Sequence, residues 1–216
     1  MSGSSYWRPQ DMTADTQQYF AHDPESLSRE KAFRLDWKGR SFFFTTDNGV
    51  FSKGELDTGT AVLLNALPES FSGRLLDLGC GWGPVGVLAG AGWPQARVTM
   101  ADVNPRALAL ARRNAEQNGV RAEAVLSDGF DNLEGSFDLI ALNPPIRAGK
   151  ETVYRLFMEA AEHLSPNGAL CIVIRKQQGA PSAQKYLSGL FHSVQTIARK
   201  GGYHVFQCEG SNHHAV

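Results

Sequence analysis

An asparagine followed by two prolines is the feature of this sequence that points most directly to chemistry. Asn143-Pro144-Pro145-Ile146 comes after a strand-like apolar run, and the prolines fix φ and lack amide donors, so the predicted strand ends here. The side-chain oxygen of Asn143 and the carbonyl oxygen of Pro144 then form two neighbouring acceptors. They match the two donors of a planar –NH2 group on a base or an amide. Binding both hydrogens directs the nitrogen lone pair towards an electrophile. The alternative is a Pro-Pro turn that only ends the strand.

A glycine-rich turn is the second signal. Asp77-Leu78-Gly79-Cys80-Gly81-Trp82-Gly83 joins an apolar strand to a helix that is predicted to begin at Pro84. Glycines at alternate positions allow a sharp turn and a close approach to a ligand. A dinucleotide-binding loop is the competing interpretation, but its third glycine would have to stand three residues after the second, where this chain has Pro84. Asp77 just before the turn suits a cationic amine better than a pyrophosphate.

Two further acidic residues follow predicted strands. Asp102 lies about twenty positions beyond the glycine turn, where a carboxylate accepts hydrogen bonds from ribose hydroxyls. Asp128 precedes Gly129 and can accept from an adenine amine, while Val103 and Phe130 can pack on the adenine ring. Taken alone, each of these positions also fits an ordinary loop or core residue.

The elements that must position these residues alternate between strands and helices after Gly73, which predicts an α/β fold with a mostly parallel sheet. A final hairpin, with strands at 194–198 and 203–208, adds an antiparallel C-terminal strand. We therefore expect a Rossmann-like, doubly wound sheet of seven strands. Ligands bind beyond the carboxyl ends of the strands in such sheets, so one crevice should collect the four polar turns.

Composition indicates a globular protein rather than a membrane protein. The 216 residues are 42% hydrophobic and 20% charged, the net charge is −1, and no apolar run is long enough to cross a bilayer. The chain shows no signal peptide, so a cytoplasmic location is expected. Cys80, Cys171 and Cys208 are widely spaced, which predicts reduced structural thiols and no metal site.

Together, the glycine turn, the Asp102 strand end and Asn-Pro-Pro-Ile resemble the class I S-adenosylmethionine-dependent methyltransferases. The resemblance is closest to the methyltransferase small domain group, which includes bacterial ribosomal RNA guanine-N2 methyltransferases. It extends through Gly49–Thr60, a segment similar to one that precedes the glycine motif in that group, and covers roughly Gln18–Gln207. Ile146 departs from the pattern, because that group usually has an aromatic residue there that stacks on the target base.

The resemblance implies S-adenosylmethionine as cofactor and a role for each motif. The predicted cofactor-binding residues are Phe51, Thr60, Asp77, Gly79, Cys80, Gly81, Gly83, Asp102, Val103, Asp128, Gly129, Phe130 and Asn143. Asp77 and the glycine turn would hold the methionine end, whereas Phe51 and Thr60 would help to close the pocket. The predicted catalytic residues are Asn143, Pro144, Pro145 and Ile146. The first two would orient the acceptor amine, and Ile146 would pack against its ring or amide.

The predicted reaction is direct transfer of the sulfonium methyl group to an exocyclic amine, with N2 of a guanine in small-subunit ribosomal RNA placed ahead of an adenine amine. Two alternatives stay open: a protein methyltransferase that acts on a glutamine amide, and a cofactor-binding module without catalysis. Residues 1–56 are predicted to be an N-terminal extension with a β-hairpin, and residues 57–216 the methyltransferase domain. The sequence leaves the oligomeric state open.

Ribosomal RNA or the small ribosomal subunit is the predicted partner, although the net charge gives no general attraction to nucleic acid. Basic residues near the predicted hairpin and the strand ends can supply local phosphate contacts. They are Arg29, Lys31, Arg34, Lys38, Arg40, Lys53, Arg147, Lys150, Arg175 and Lys176. The hairpin, with Arg34 and Lys38, is the expected RNA-facing surface.

Overall fold

A computed structural model describes residues 28–50 and 54–212. The strands are β1 (Lys31–Trp37), β2 (Arg40–Thr46), β3 (Gly73–Leu78), β4 (Ala96–Asp102), β5 (Ala122–Leu126), β6 (Phe137–Leu142), β7 (Leu164–Arg175), β8 (Phe191–Lys200) and β9 (Tyr203–Ser211). The helices are α1 (Thr58–Ala66), α2 (Pro84–Gly92), α3 (Pro105–Gln117), α4 (Lys150–Glu162) and α5 (Ala180–Leu190). Two short 3-10 helices occupy Ile146–Ala148 and Lys176–Gln178.

Seven strands form one sheet in the order β5-β4-β3-β6-β7-β9-β8. The first five in this order are parallel, and β9 lies antiparallel between β7 and β8. The predicted fold class is therefore confirmed. The strand order reverses between β3 and β6, which is where open α/β sheets bind ligands. We call the side where the parallel strands end the carboxyl edge, and the side where they begin the amino edge.

The sheet is covered by helices on both faces, which explains the continuous apolar character of its central strands. Leu75 and Leu139 belong to one buried cluster, and Leu76 and Ile140 belong to a second cluster. Because successive side chains in a strand point to opposite faces, the two clusters lie on the two sides of the sheet. The loops after β3 and β6 are thus attached to strands that are immobilised from both sides.

Strands β1 and β2 form the predicted hairpin, and the open edge of β2 is paired by the side chains of Asn114 in α3 and of Asn118, the C-cap of that helix. Asn114 accepts from the backbone N–H of Thr45 at 2.8 Å and donates to its carbonyl at 3.0 Å, and Asn118 makes the equivalent pair with Phe43 at 2.9 and 2.7 Å. Residues four apart on a helix rise about 6 Å, close to the roughly 6.6 Å between alternate strand residues. The two asparagines therefore act as a substitute for a neighbouring strand.

The hairpin turn lies at the amino edge, so the expectation that it faces RNA beside the site is wrong. Arg40 donates to the carbonyl of Ala91 at 2.7 Å, near the C-terminal end of α2. Helix α2 begins at the carboxyl edge and its nine residues span about 13 Å, which separates the turn from that edge. Arg34 is also paired with Asp36 at 2.8 Å. The open end of the hairpin, at Gly49 and Val50, is the part that reaches the carboxyl edge.

Replacing Asn114 with alanine should destabilise the fold strongly. The side chain is fully buried and also donates to the carbonyl of Trp82 at 2.8 Å, so its removal takes a partner from one buried and two partly buried backbone groups. We expect the free energy of unfolding to fall by about 2–4 kcal/mol, measured by urea denaturation. Gln117→Ala, at an exposed position of the same helix, should change it by less than about 0.5 kcal/mol. Equal effects of the two variants would contradict the substitute-strand interpretation.

Candidate active site

One cavity of about 580 Å³ opens at the carboxyl edge. Its volume lies within the range of about 300–1,000 Å³ that is usual for small-molecule sites. The loops after β3, β4, β5 and β6 contribute Asp77, Asp102, Asp128 and Asn143 to its wall, and the hairpin contributes Gly49. The predicted convergence of the four polar turns is therefore present in the structure, and we call this space the main cavity.

The glycine turn has a backbone that side chains would disfavour. Gly79, Gly81 and Gly83 have φ values of 68°, 56° and 84°. At Gly83 a Cβ atom would in addition come within 3.0 Å of the Ala111 side chain on α3. The turn is tied to β4 because the amides of Gly79 and Cys80 both donate to the carbonyl of Ala101, at 2.8 and 2.9 Å. The alternate glycines are therefore required for the shape of the cavity floor.

Asp77 and Asp102 place two carboxylates on this floor. Asp77 Oδ2 accepts from the backbone N–H of Gly86 at 2.8 Å, and the Asp102 carboxylate accepts from Gly81 and Asn104, both at 2.8 Å. Burial, reinforced by the charge of Asp102, raises the pKa of Asp77 to about 7. Burial also raises the pKa of Asp102. Each carboxylate is fixed by backbone donors and keeps acceptor capacity towards the cavity, which suits a cation beside Asp77.

Asp128 reaches the cavity but is already paired. Arg155 on α4 donates to Asp128 at 2.6 Å and to Glu159 at 2.9 Å. Phe130, which was expected to pack on an adenine ring, is instead buried and stacked on His163 with ring centroids 4.4 Å apart. The Phe130 ring packs in the buried cluster under α4 and therefore does not line the cavity.

Asn143 is held by two side chains of the α1 N-terminus. Its amide nitrogen donates to Thr60 Oγ1 at 3.0 Å and to Asp57 Oδ2 at 3.2 Å. Asp57 is the N-cap of α1 and accepts from the backbone N–H of Thr60 at 3.0 Å. This network determines which end of the amide is nitrogen, and no hydrogen bond joins the oxygen of Asn143 to a side chain within the described ranges 28–50 and 54–212.

The two prolines after Asn143 form a tight turn. Pro145 has φ −74° and ψ 77°, and the carbonyl of Pro144 accepts from the N–H of Ile146 at 2.8 Å. This is an inverse γ-turn, a common conformation at strand ends. The carbonyl of Pro144 keeps one lone pair for a second donor, and Ile146 is half-buried at the cavity wall. The turn thus leaves acceptor capacity on the carbonyl of Pro144, the residue next to Asn143 in the chain.

Most of the predicted site residues are brought together. Those that line the main cavity are Thr60, Asp77, Gly79, Cys80, Gly81, Asp102, Val103, Asp128, Gly129, Asn143, Pro144, Pro145 and Ile146. Gly83 shapes the turn beneath it, and Phe51 lies outside the described residues. Asp57, Arg155 and Tyr203 line the cavity but were not predicted. Asp57 carried a usable signal, because an aspartate three residues before a threonine at a helix start is a typical N-cap.

The thiols are not poised for catalysis. Cys80, Cys171 and Cys208 are buried and free. Burial raises the pKa of the Cys80 thiol well above its usual value, with the carboxylates of Asp102 and Asp77 adding to the shift. Within residues 28–50 and 54–212, no cluster of His, Cys, Asp or Glu is arranged to hold a metal ion. None of the helices in those ranges is long and apolar enough to span a membrane.

Relatives and solved structures agree with this arrangement. The chain is 39% identical over 198 residues to YbxB of Bacillus subtilis (strain 168), covering 90% of this chain and 98% of that protein. It is 46% identical over 129 residues to ribosomal RNA small subunit methyltransferase C of Pasteurella multocida (strain Pm70), covering 58% of this chain but only 39% of that relative.

Among solved structures, a Thermus thermophilus (T. Thermophilus) 16S rRNA N2 G1207 methyltransferase in complex with AdoMet and guanosine superposes with a TM-score of 0.76 and 27% identity. The match covers 86% of this chain and 52% of that one, so this chain spans about half of that enzyme. The family model for the methyltransferase small domain matches residues 41–207. The chain belongs to the methyltransferase small domain family.

Proposed function

We propose that the chain is an S-adenosylmethionine-dependent N-methyltransferase that acts on N2 of a guanine in small-subunit ribosomal RNA. The observation that carries the proposal is the fixed amide of Asn143, a residue that lines the main cavity, whose nitrogen donates to Asp57 and Thr60 and whose oxygen is thereby assigned the role of acceptor. The name of the Pasteurella relative supports small-subunit ribosomal RNA as the substrate, and the guanosine bound in the Thermus enzyme supports guanine as the acceptor.

The carboxylates that line the cavity fit the polar groups of the cofactor. Asp77 is a buried carboxylate that has no cation beside it in the described residues. It therefore suits the cationic amino group at the methionine end of the cofactor. Asp102, held at the end of β4 by backbone amides, has lone pairs left for ribose hydroxyls. Val103 and the loop at Asp128 border the space for the adenine. When bound, S-adenosylmethionine supplies an already activated methyl group, so no protein nucleophile is required.

The residues of the chain then act on the acceptor. The oxygen of Asn143 and the carbonyl of Pro144 each accept a hydrogen bond from the acceptor amine. These two bonds direct the nitrogen lone pair towards the cofactor. Ile146 packs against the base. Such positioning contributes about 7–11 kcal/mol in well-oriented reactions. A base within a duplex cannot reach this cradle, so the target guanine must be unpaired or flipped out of its helix.

A transfer assay with labelled methyl groups tests the acceptor directly. Small ribosomal subunits, naked 16S ribosomal RNA, transfer RNA and peptide release factors should be compared in parallel. We expect label in small-subunit ribosomal RNA, and digestion to nucleosides should recover it as N2-methylguanosine. Label in a release-factor glutamine and in no RNA would instead establish the protein-methyltransferase alternative. Saturable cofactor binding without transfer to any acceptor would establish the non-catalytic one.

The cradle predicts a separation of turnover from cofactor affinity. Asn143→Ala should leave the Kd for S-adenosylmethionine within about twofold, because its bonds go to the acceptor, and lower kcat by about 100-fold, as when one preorganised hydrogen-bonding group is lost. Asn65→Ala, which removes an exposed asparagine of α1, is the matched control and should be neutral.

Asp57→Ser tests the contact of Asp57 with Asn143 separately from its role as the N-cap of α1. Serine still caps the helix but is too short to accept from the Asn143 amide. We expect it to lower kcat with an unchanged Kd for the cofactor and little change in stability. A loss of cofactor affinity in Asn143→Ala, with normal turnover at saturation, would refute the cradle.

Cofactor affinity should depend on pH through Asp77. Its carboxyl is protonated in the free site below pH 7, whereas a neighbouring ammonium favours the ionised form. Binding must then release this proton, and affinity should fall by up to about tenfold per pH unit below 7. The amino group of the ligand stays mostly charged below pH 7, since the pKa of an α-amino group is about 7.7–8.0. Calorimetry between pH 7 and 5.5 measures the slope.

Asp77→Asn is the control for this slope, because the amide retains an acceptor for Gly86 but does not titrate. At pH 7 its affinity for the cofactor should be weaker than that of the wild type, and the affinity should change much less with pH. Identical slopes for the wild type and the variant would show that Asp77 does not contact the ammonium group.

A further inference from the structure

A row of cations borders the carboxyl edge on the side of β7, β8 and β9. Arg147 and Lys150 lie between β6 and the first turn of α4, Lys176 follows β7, and Arg199 and Lys200 end β8. All five are exposed. The pairing of Lys200 with Tyr203, and of Tyr203 with Arg175, brings the end of β8 to the same edge as the end of β7. We call these five residues the basic rim.

The basic rim is not neutralised by the part of the chain that the structure describes. Within the described residues none of its five side chains takes part in an ion pair, and Glu151 is the acidic residue beside it. The local field is also visible on His204. Its pKa is lowered by burial and, in addition, by the charges of Arg199 and Lys176. The rim is therefore a surface of concentrated positive charge on a chain whose net charge is −1.

A second, smaller cavity of about 240 Å³ lies between the rim and the main cavity, and we call it the side cavity. It shares Ile146 and Gln178 with the wall of the main cavity. Its wall combines apolar Val153, Ile174 and Ala183 with the aromatic ring of Tyr154. The side cavity thus begins where the proposed acceptor site ends.

Tyr154 is fixed in place as part of this wall. Its ring stacks on Tyr186 with centroids 4.1 Å apart, and the ammonium of Lys150 lies 5.0 Å from its centroid. Lys150 itself lines the side cavity, and Lys176 begins the 3-10 helix that ends at Gln178. Proteins hold single-stranded nucleic acid in grooves that combine positive charge for the phosphates with apolar surface for the bases, and the side cavity with its flanking cations has both.

We propose that the side cavity and the basic rim bind the nucleotide next to the acceptor in a single-stranded RNA segment. The inference rests on the proposed function, since it places the acceptor base against Ile146. The neighbouring base enters the side cavity, and the phosphates on either side of it contact Lys150 and Lys176. The cavity is smaller than the usual range for free ligands, about 300–1,000 Å³, which fits one base of a polymer.

Binding of a fluorescent heptaribonucleotide, a single guanosine flanked by uridines, tests the rim. Fluorescence anisotropy should be recorded at several salt concentrations in the presence of S-adenosylhomocysteine. Lys150→Glu with Lys176→Glu should weaken binding by about 10-fold and lower the salt slope by about 1.4, because two phosphate contacts to a single strand are lost. The control is Lys38→Glu with Arg121→Glu, at the amino edge, which makes the same change in net charge. Its Kd for the oligonucleotide should stay within twofold of the wild-type value.

A second pair of variants tests the side cavity without changing charge. Ser182→Leu fills the cavity and should weaken binding of the oligonucleotide several-fold while leaving the salt slope unchanged. Ser188→Leu, at an exposed position of the same helix, is the matched control. All four variants should bind S-adenosylhomocysteine as the wild type does, which reports on folding.

The outcomes separate this inference from the proposed reaction. The inference is overturned if the wild type binds no RNA, if an acidic peptide binds more tightly than RNA with the same dependence on the rim, or if either test variant matches its control. If the variants behave as expected but no RNA is methylated, the surface stands and the proposed reaction fails. If guanine is methylated and both test variants bind normally, the reaction stands and the RNA lies elsewhere.

Discussion

The site depends on two carboxylates that are held at the ends of adjacent strands by backbone amides. Asp77 and Asp102 draw Gly86, Gly81 and Asn104 towards them, and these bonds fix the glycine turn between β3 and α2. Two acidic groups in a largely apolar surrounding are unfavourable when ionised, as the raised pKa of each shows. Both carboxylates are hydrogen-bonded, but neither has a cationic partner among the described residues. Such an arrangement is expected where a bound ligand supplies the missing positive charge and hydrogen-bond donors.

The hairpin helps to build the main cavity, a structural role that its basic residues do not indicate. Asn114 and Asn118 close its open edge, and Arg106 lies 3.8 Å from Asp47 at the opposite end from the turn. This end carries Gly49 and Val50 to the main cavity. The side chains that anchor the hairpin are on α3, which also follows the Asp102 loop. The hairpin and the cofactor loops are therefore positioned by one shared helix.

Local signals explain what could be predicted from the sequence. Apolar strands followed by Gly, Asp or Pro define where each strand stops, and the rule that parallel strands end at one edge then collects Asp77, Asp102, Asp128 and Asn143. The contacts that were missed join distant parts of the chain. Nothing near Arg155 indicates that its guanidinium reaches Asp128, and the orientation of the hairpin is determined by α3, about seventy residues later.

Phe130 shows the same limit. Its position beside Asp128 suggested the ligand, whereas packing under α4 was decided by residues such as His163 that the local pattern does not include. An aromatic residue after a strand is compatible with both outcomes. Only the tertiary arrangement distinguishes them.

The link between Asn143 and the first turn of α1 spans 86 positions of sequence. Helix ends are the parts of a fold that open first on warming. Fraying of the α1 N-terminus would release the Asn143 amide to rotate, while Asp77, Asp102 and the glycine turn remain attached to the central strands. Heat should accordingly abolish methyl transfer at a lower temperature than it abolishes cofactor binding or melts the sheet. The enzyme would then lose the ability to recognise its acceptor while still globally folded.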